Sequence, residues 1–164
     1  MAKKTVIVGL GNPIVTDDGI GIHLVRYLKE VLADKNIRDV EIKEVYAGGL
    51  RLLDELVGYH HAVIIDAMQT GQVVPGSVMR FNLSELISTK NLICMHDTNF
   101  KTALELGVML GLILPEKILI YGIEAKDLTT FSDRISKELE EKIPQITEFI
   151  IKDITNELFE GGNV

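Results

Sequence analysis

Short, continuously apolar runs separated by helical patterns constrain the fold of this chain most. Thr5–Leu10 has the sequence Thr-Val-Ile-Val-Gly-Leu, and residues 62–66 have the sequence Ala-Val-Ile-Ile-Asp. Runs of this length and β-branched content are typical of strands buried on both faces of a parallel sheet. Further strands are predicted at 40–46, 77–83 and 117–123, and helices at 20–32, 50–56, 98–114 and 132–158. This order predicts an α/β fold, a three-layer sandwich with about five mostly parallel strands between helices.

Three local patterns refine this prediction. Residues 40–46 mostly alternate between apolar and polar side chains, which indicates a strand nearer the edge of the sheet. His60 and His61 come directly before the 62–66 strand and are expected at its amino end. Pro144 lies inside the last predicted helix and is expected to kink or divide it.

Length, charge and cysteine usage limit the class of protein. The 164 residues predict one domain over 1–160 and a disordered tail at 161–164. The net charge of −7 argues against a nucleic-acid partner, which would require a basic surface. No apolar run reaches the roughly 18 residues of a membrane span, so no membrane association is expected. The single cysteine, Cys94, fits a reducing compartment, and we expect a cytoplasmic protein in which Cys94 is a small core residue.

In parallel sheets, ligands bind beyond the carboxyl ends of the strands, so the loops at these ends are the places to search. The first strand runs into Gly9-Leu10-Gly11, which has the start of a dinucleotide-binding motif. The third glycine of that motif is replaced by Ile14, and two carboxylates follow that would repel a pyrophosphate. The sequence therefore predicts no nucleotide cofactor.

Two carboxylates and one imidazole are predicted to converge at these strand ends. Asp18 follows the first strand, Asp66 ends the third, and His96 precedes the helix predicted from residue 98. Such a set suits a divalent metal with open coordination positions. Simpler interpretations remain: Asp17 or Asp18 can cap the following helix, and Asp66 can form an Asx-type turn. Only one acid can be the cap, so the other carboxylate is free to point over the strand ends.

The sequence resembles the NiFe-hydrogenase maturation endopeptidases over nearly its whole length. The shared segments are Gly9-Leu10-Gly11-Asn12, Thr16-Asp17-Asp18-Gly19-Ile20-Gly21, Ile64-Ile65-Asp66-Ala67, Pro75-Gly76, Met95-His96 and Tyr121-Gly122-Ile123. The resemblance implies a twisted, mostly parallel sheet between helices. It also implies an enzyme that removes a C-terminal peptide from the hydrogenase large-subunit precursor after nickel insertion.

The resemblance further implies roles for individual residues. Asp18, Asp66 and His96 would be the catalytic, metal-engaging residues, and the nickel would be supplied by the precursor. Asp17, a carboxylate outside this set of three residues, is a candidate general base. Gly48 and Gly49 follow the second strand and are candidates for close approach of the substrate backbone, with a tight turn before a helix as the alternative.

Two other functions remain open at this stage. One is a non-enzymatic nickel-binding or chaperone module that uses the same three ligands. The other is a peptidyl-tRNA hydrolase-like esterase, a family that shares the Val-Gly-Leu-Gly-Asn-Pro opening but continues with an Arg-His-Asn element and is usually basic. This chain has Asp17-Asp18-Gly19 instead, and its net charge of −7 would repel a polyanionic substrate.

Overall fold

The computed structural model describes residues 4–34, 39–46, 48–83 and 100–159, in which strands and helices follow one another as predicted. The strands are β1 Thr5–Leu10, β2 Val40–Val45, β3 His61–Met68, β4 Val78–Asn82 and β5 Lys117–Glu124. The helices are α1 Ile20–Asp34, α2 Leu50–Leu56, α3 Phe100–Met109, α4 Lys137–Glu140 and α5 Ile143–Ile154. A 3-10 turn, Thr16–Gly19, precedes α1, and a π-helical turn, Thr155–Phe159, follows α5.

The five strands form one sheet in the order β2-β1-β3-β5-β4. β1 pairs in parallel with β2 and β3, β3 pairs in parallel with β5, and β4 alone runs antiparallel to its neighbour β5. The predicted α/β fold with a mostly parallel sheet is confirmed, and β2 lies at the edge as its alternating sequence indicated. The four parallel strands all end on the same side, which we call the carboxyl end of the sheet.

Successive residues of the central strands face opposite layers of helices. Ile7, Val63 and Tyr121 pack with α1 and α5 on one face. Val8 and Ile64 pack with α2 and α3 on the other. Because both faces are covered, β1 and β3 are buried at every position, which explains why residues 6–10 and 62–65 are continuously apolar. The three-layer arrangement is therefore confirmed.

The last predicted helix, 132–158, is divided. Residues 132–136 are not helical, α4 ends at Glu140, and Pro144 lies in the first turn of α5. Proline is tolerated there because an N–H in the first turn has no helical partner. The predicted division at Pro144 is confirmed, whereas the helical start at residue 132 was wrong.

The helix predicted at 98–114 is shorter in the structure. α3 ends at Met109, and Gly111 follows with a φ of +70°. His61 begins β3, so His60 and His61 lie at the amino end of that strand, as predicted. Cys94, His96 and the predicted tail at 161–164 are outside the described residues. Among the residues that are described, no helix is long and apolar enough to cross a membrane.

Candidate active site at the carboxyl end of the sheet

The first turn of α1 lies directly on the ends of β1 and β3. A Cβ at Gly21 would lie 2.2 Å from the Leu10 carbonyl oxygen and 2.4 Å from the Ile65 carbonyl oxygen. A Cβ at Gly9 would lie 2.3 Å from the Gly21 carbonyl oxygen. Only glycine at both positions allows this contact. The contact places the turn that precedes α1 beside the end of β3.

Asp18 lies in this turn and is 3% exposed. Its Oδ2 accepts a hydrogen bond of 2.9 Å from the backbone amide of Asn12. A Cβ at Gly11, whose φ is +148°, would lie 2.0 Å from the Asp18 carbonyl oxygen. The β1–α1 loop thus folds back tightly on itself, and the fold fixes where Asp18 lies.

Asp66 lies near the end of β3 and is 2% exposed. Its Oδ1 accepts a hydrogen bond of 2.9 Å from the amide of Ala67, the next residue of the same strand, so the Asx-type turn weighed for Asp66 does not form. In β5, the residue opposite Asp66 is Gly122. β3 also contacts the turn that carries Asp18. The structure therefore brings two buried carboxylates, Asp18 and Asp66, to the carboxyl end of adjacent strands.

The third predicted ligand, His96, is outside the described residues. Within residues 4–34, 39–46, 48–83 and 100–159, no group of three His, Cys, Asp or Glu side chains is arranged to hold a metal ion. Two carboxylates suit a divalent cation, and they leave coordination positions for further ligands. The assignment of Asp18, Asp66 and His96 as one metal-engaging set remains a prediction.

Asp17 has surroundings that the sequence did not indicate. Its side chain is fully buried, and its Oδ1 accepts a hydrogen bond of 2.7 Å from the amide of Ser136. Its Oδ2 accepts bonds of 2.9 Å and 3.0 Å from the amides of Lys126 and Asp127. The Asp17 carboxylate therefore faces the chain that follows β5 and has three amide partners there. We therefore do not assign the general base to Asp17.

Helix capping does not account for Asp17 either. The 3-10 turn begins after Val15 without a side-chain capping bond. Asp17 accepts amides that are distant in the sequence, and Asp18 accepts an amide of the β1–α1 loop.

Residues 125–136, which we call the β5–α4 segment, are joined to the β1–α1 loop along their length. The joining contacts are Asp17 N–H to Asp127 O, Thr16 N–H and Oγ1–H to Thr130 O, the bridge between Val15 and Phe131, and Ser132 N–H to Ile14 O. Hydrogen bonds from Thr130 and Thr129 hold the pKa of Asp127 well below its usual range. The segment is thus an ordered partner of the turn that carries Asp18.

Glu124, the last residue of β5, is a further buried acid at this end of the sheet, and the sequence reasoning missed it. It is 2% exposed and accepts hydrogen bonds from the amides of Thr70 and Gly71 and from the Thr70 hydroxyl. These bonds hold the loop between β3 and β4. The sequence pattern that could have identified Glu124 is the same as for Asp66, namely a carboxylate that follows an apolar strand.

Gly48 and Gly49 lie at the same end, after β2. Gly49 is buried, has a φ of +63°, and accepts a bond of 3.1 Å from the amide of Leu53 in α2. This is the tight turn before a helix that the alternative interpretation described. The exposed side chains of Tyr46 and Leu50 flank the pair. A role of Gly48 and Gly49 in substrate binding remains a prediction.

Comparison with known proteins gives consistent results. The family model described as HycI: Hydrogenase maturation protease matches residues 22–153, which include Asp66 and His96. The Hydrogenase 2 maturation protease of Escherichia coli (strain K12) is 27% identical over 128 residues, 76% of this chain and 75% of that protein.

Two solved structures share the fold. The hydrogenase maturating endopeptidase HybD from Escherichia coli superposes with a TM-score of 0.76 at 22% identity, covering 94% of each chain. The NiFe hydrogenase maturation protease HybD from Thermococcus kodakarensis gives 0.72 at 26% identity, covering 91% of this chain and 97% of that chain.

Proposed function

The chain belongs to the hydrogenase maturation protease family, and we propose that it removes a C-terminal extension from the nickel-loaded large-subunit precursor of a NiFe hydrogenase. The observation that carries the proposal is the pair of buried carboxylates, Asp18 and Asp66, at the carboxyl end of adjacent strands. With His96 as the third member, this set would contact nickel that the precursor already holds.

In this proposal the nickel is part of the substrate. The carboxylates offer oxygen ligands on a fixed framework, and an open set of this kind leaves room for the thiolates that hold nickel in the precursor. Contact with the nickel would place the scissile peptide bond beside the enzyme. A divalent metal so placed can polarise the carbonyl or activate a water molecule. We propose the cytoplasm as the compartment, because a single cysteine fits a reducing environment.

The alternative functions are disfavoured for separate reasons. A purely nickel-binding module would leave the precursor at its original length, whereas this chain belongs to a family of proteases. A peptidyl-tRNA hydrolase-like activity would bring a polyanion to a site that contains Asp18 and Asp66 in a chain of net charge −7.

Removal of any ligand should abolish processing. Asp18→Ala, Asp66→Ala and His96→Ala are each expected to lower the rate at least roughly a hundredfold, since changes to groups that only support metal ligands already cost 10–100-fold. Mass spectrometry of the nickel-loaded precursor before and after incubation measures the loss. Circular dichroism confirms that each variant is folded.

Asp54→Ala is the matched control, because Asp54 is an exposed acid on α2. It should process at the wild-type rate. Wild-type rates in all three ligand variants would refute the site assignment. Equal cleavage of the nickel-free precursor would refute recognition through nickel.

A further inference from the structure

Asp17 and Asp18 are adjacent acids in the same 3-10 turn, yet their carboxylates have different partners. The Asp18 carboxylate accepts the amide of Asn12 within its own loop. The Asp17 carboxylate is fully buried and accepts three amides of the β5–α4 segment, from Lys126, Asp127 and Ser136. Asp17 therefore ties the turn to a part of the chain that lies outside the loop.

We propose that Asp17 is a positioning residue that fixes the orientation of Asp18 toward the substrate's metal, without contacting the substrate itself. The inference rests on the proposed function and assigns this site a supporting residue. Hydrogen bonds from amides to a carboxylate are shorter and stronger than bonds between neutral groups. Three of them on one side chain leave the turn little freedom to rotate.

The backbone of the turn is held on both sides. On one side the Asp17 amide donates to the Asp127 carbonyl at 3.0 Å, and the Asp18 amide donates to Val15 O at 3.0 Å. On the other side the Asp18 carbonyl oxygen packs against Gly11 so closely that a Cβ there would lie 2.0 Å away. Loss of the bonds to the Asp17 carboxylate would leave only backbone bonds on one side of the turn, and the Asp18 carboxylate would be held less firmly in its place.

The test disturbs the hydrogen bonds between Asp17 and the β5–α4 segment by changing each partner in a separate variant. Asp17→Asn keeps the shape of the side chain, but its NH2 group must face one of the amides that the carboxylate accepts. Ser136→Pro keeps the Asp17 side chain, removes the amide that donates to its Oδ1, and puts the ring Cδ where that N–H was, so the carboxylate must also move away. The Ser136 φ of −59° is compatible with proline. Ser136→Ala is the matched control, because it keeps the amide and deletes a hydroxyl that makes no hydrogen bond in the structure.

Two measurements read the position of Asp18. Calorimetric titration of the purified variants with Cd²⁺ reports the metal affinity directly, and steady-state processing of the nickel-loaded precursor reports kcat and KM. Asp17→Asn and Ser136→Pro are each expected to weaken Cd²⁺ binding and to lower kcat/KM by roughly 10–100-fold, as loss of a group that supports a metal ligand does. Ser136→Ala should match the wild type in both.

Tyr121→Phe separates positioning from a general loss of stability. Tyr121 donates to Asp153 on α5, so the variant loses stability away from the site. It should bind Cd²⁺ and process the precursor as the wild type does, at a temperature where all variants are folded.

Other outcomes would overturn either the positioning role of Asp17 or the proposed function. Wild-type Cd²⁺ affinity and processing in Ser136→Pro would overturn the inference. So would loss of cleavage in Asp17→Asn with unchanged Cd²⁺ affinity and an altered pH profile, because that pattern identifies a general base. If the wild type neither processes the precursor nor binds Cd²⁺, the proposed function has failed. If the wild type processes the precursor without binding free Cd²⁺, kcat/KM alone is compared. Lower kcat/KM in Asp17→Asn and Ser136→Pro than in Ser136→Ala, with an unchanged pH profile, supports positioning. Equal kcat/KM in the three variants refutes it.

Discussion

At the scale of single residues, the absence of a side chain determines how the site is built. Gly9 and Gly21 bring the backbones of β1 and α1 into direct contact, and Gly21 also contacts the end of β3. The two glycines thereby set the distance between the elements that carry Asp18 and Asp66.

A methyl group at Gly21 should therefore damage both stability and activity. Gly21→Ala would place its Cβ 2.2 Å and 2.4 Å from two backbone oxygens, which cannot move aside as a side chain can. We expect a loss of about 3 kcal/mol in the free energy of unfolding, the upper end of the usual cost of overpacking. Urea denaturation measures this loss.

Gly107→Ala in α3 is the matched control, since it too is a helical glycine. Its Cβ would meet only the ends of the Leu53 and Leu114 side chains at 3.2 Å, and alanine favours the helix by about 1 kcal/mol. A loss in Gly21→Ala no larger than in Gly107→Ala would contradict the close contact.

Sequence alone located Asp18 and Asp66 but could not separate the roles of Asp17 and Asp18. A carboxylate at the end of an apolar strand is visible in the sequence, since burial there requires a partner. The difference between two adjacent acids arises from amides that lie 109, 110 and 119 residues further along the chain. No local pattern contains that information.

At the scale of elements, the loops at the carboxyl end are held by buried acids as well as by the strands they connect. Glu124 binds the amides of Thr70 and Gly71 at the start of the β3–β4 loop. The same loop exposes Val73 and Val74, 41% and 68% respectively. Its order thus depends on a carboxylate of the neighbouring strand.

Glu124→Ala should open this loop. The variant would leave the amides of Thr70, which is partly buried, and of Gly71, which is exposed, without their acceptor, and the loss of each hydrogen bond is expected to cost about 0.5–1.5 kcal/mol. We expect cleavage by thermolysin on the amino side of Val73 or Val74 to accelerate on the order of tenfold or more, because the open form becomes more populated. Timed proteolysis with mass spectrometry measures the rate.

Glu138→Ala serves as the comparison, because Glu138 is an exposed acid that pairs with Lys126. It should be cleaved at the wild-type rate. Equal rates for Glu124→Ala and the wild type would show that Glu124 does not hold the loop.

Strand positions could be predicted from sequence more closely than helix ends. β1 matches its predicted bounds because a run buried on both faces has a sharp apolar boundary. The start of the last helix was misplaced because residues 132–136 carry polar and apolar groups compatible with a helix. Their backbone bonds instead with Ile14 and Asp17, which lie far back in the chain.

At the scale of the whole molecule, α5 packs on one of the two cores and is also joined to the sheet by a partly buried hydrogen bond. Tyr121 on β5 donates to Asp153 of α5 at 2.7 Å, and Arg80 on β4 contacts the same carboxylate. Burial and the hydrogen bond with Asp153 raise the pKa of Tyr121 well above its ordinary value of 10.0. The sequence identified both elements, but the partner of Tyr121 became visible only when α5 was placed against the sheet.

Alkaline stability should depend on this tyrosine. Above pH 10.0 an unfolded Tyr121 loses its proton while the folded one keeps it, so the folded state loses stability as the pH rises. Tyr121→Phe should be less stable than the wild type by about 1–3 kcal/mol near neutral pH, because a hydrogen bond to a charged group is lost. The difference should shrink above the ordinary tyrosine pKa.

Urea denaturation at pH values below and above 10.0 measures the difference. Tyr27→Phe on α1 provides the baseline for removal of a half-buried tyrosine hydroxyl. Parallel stability curves for Tyr121→Phe and the wild type across this pH range would contradict the shift.

The hydrogen bonds of Asp17 to residues far along the chain also affect the stage of synthesis at which the enzyme can bind metal. The turn that carries Asp18 is made early, but the Ser136 amide that completes its support is made 119 residues after Asp17. A nascent chain that has not yet released this segment from the ribosome would hold Asp18 on a turn that lacks the hydrogen bonds from the β5–α4 segment. We expect the affinity for metal to develop only after most of the chain has been translated, so that an unfinished protease does not occupy a precursor.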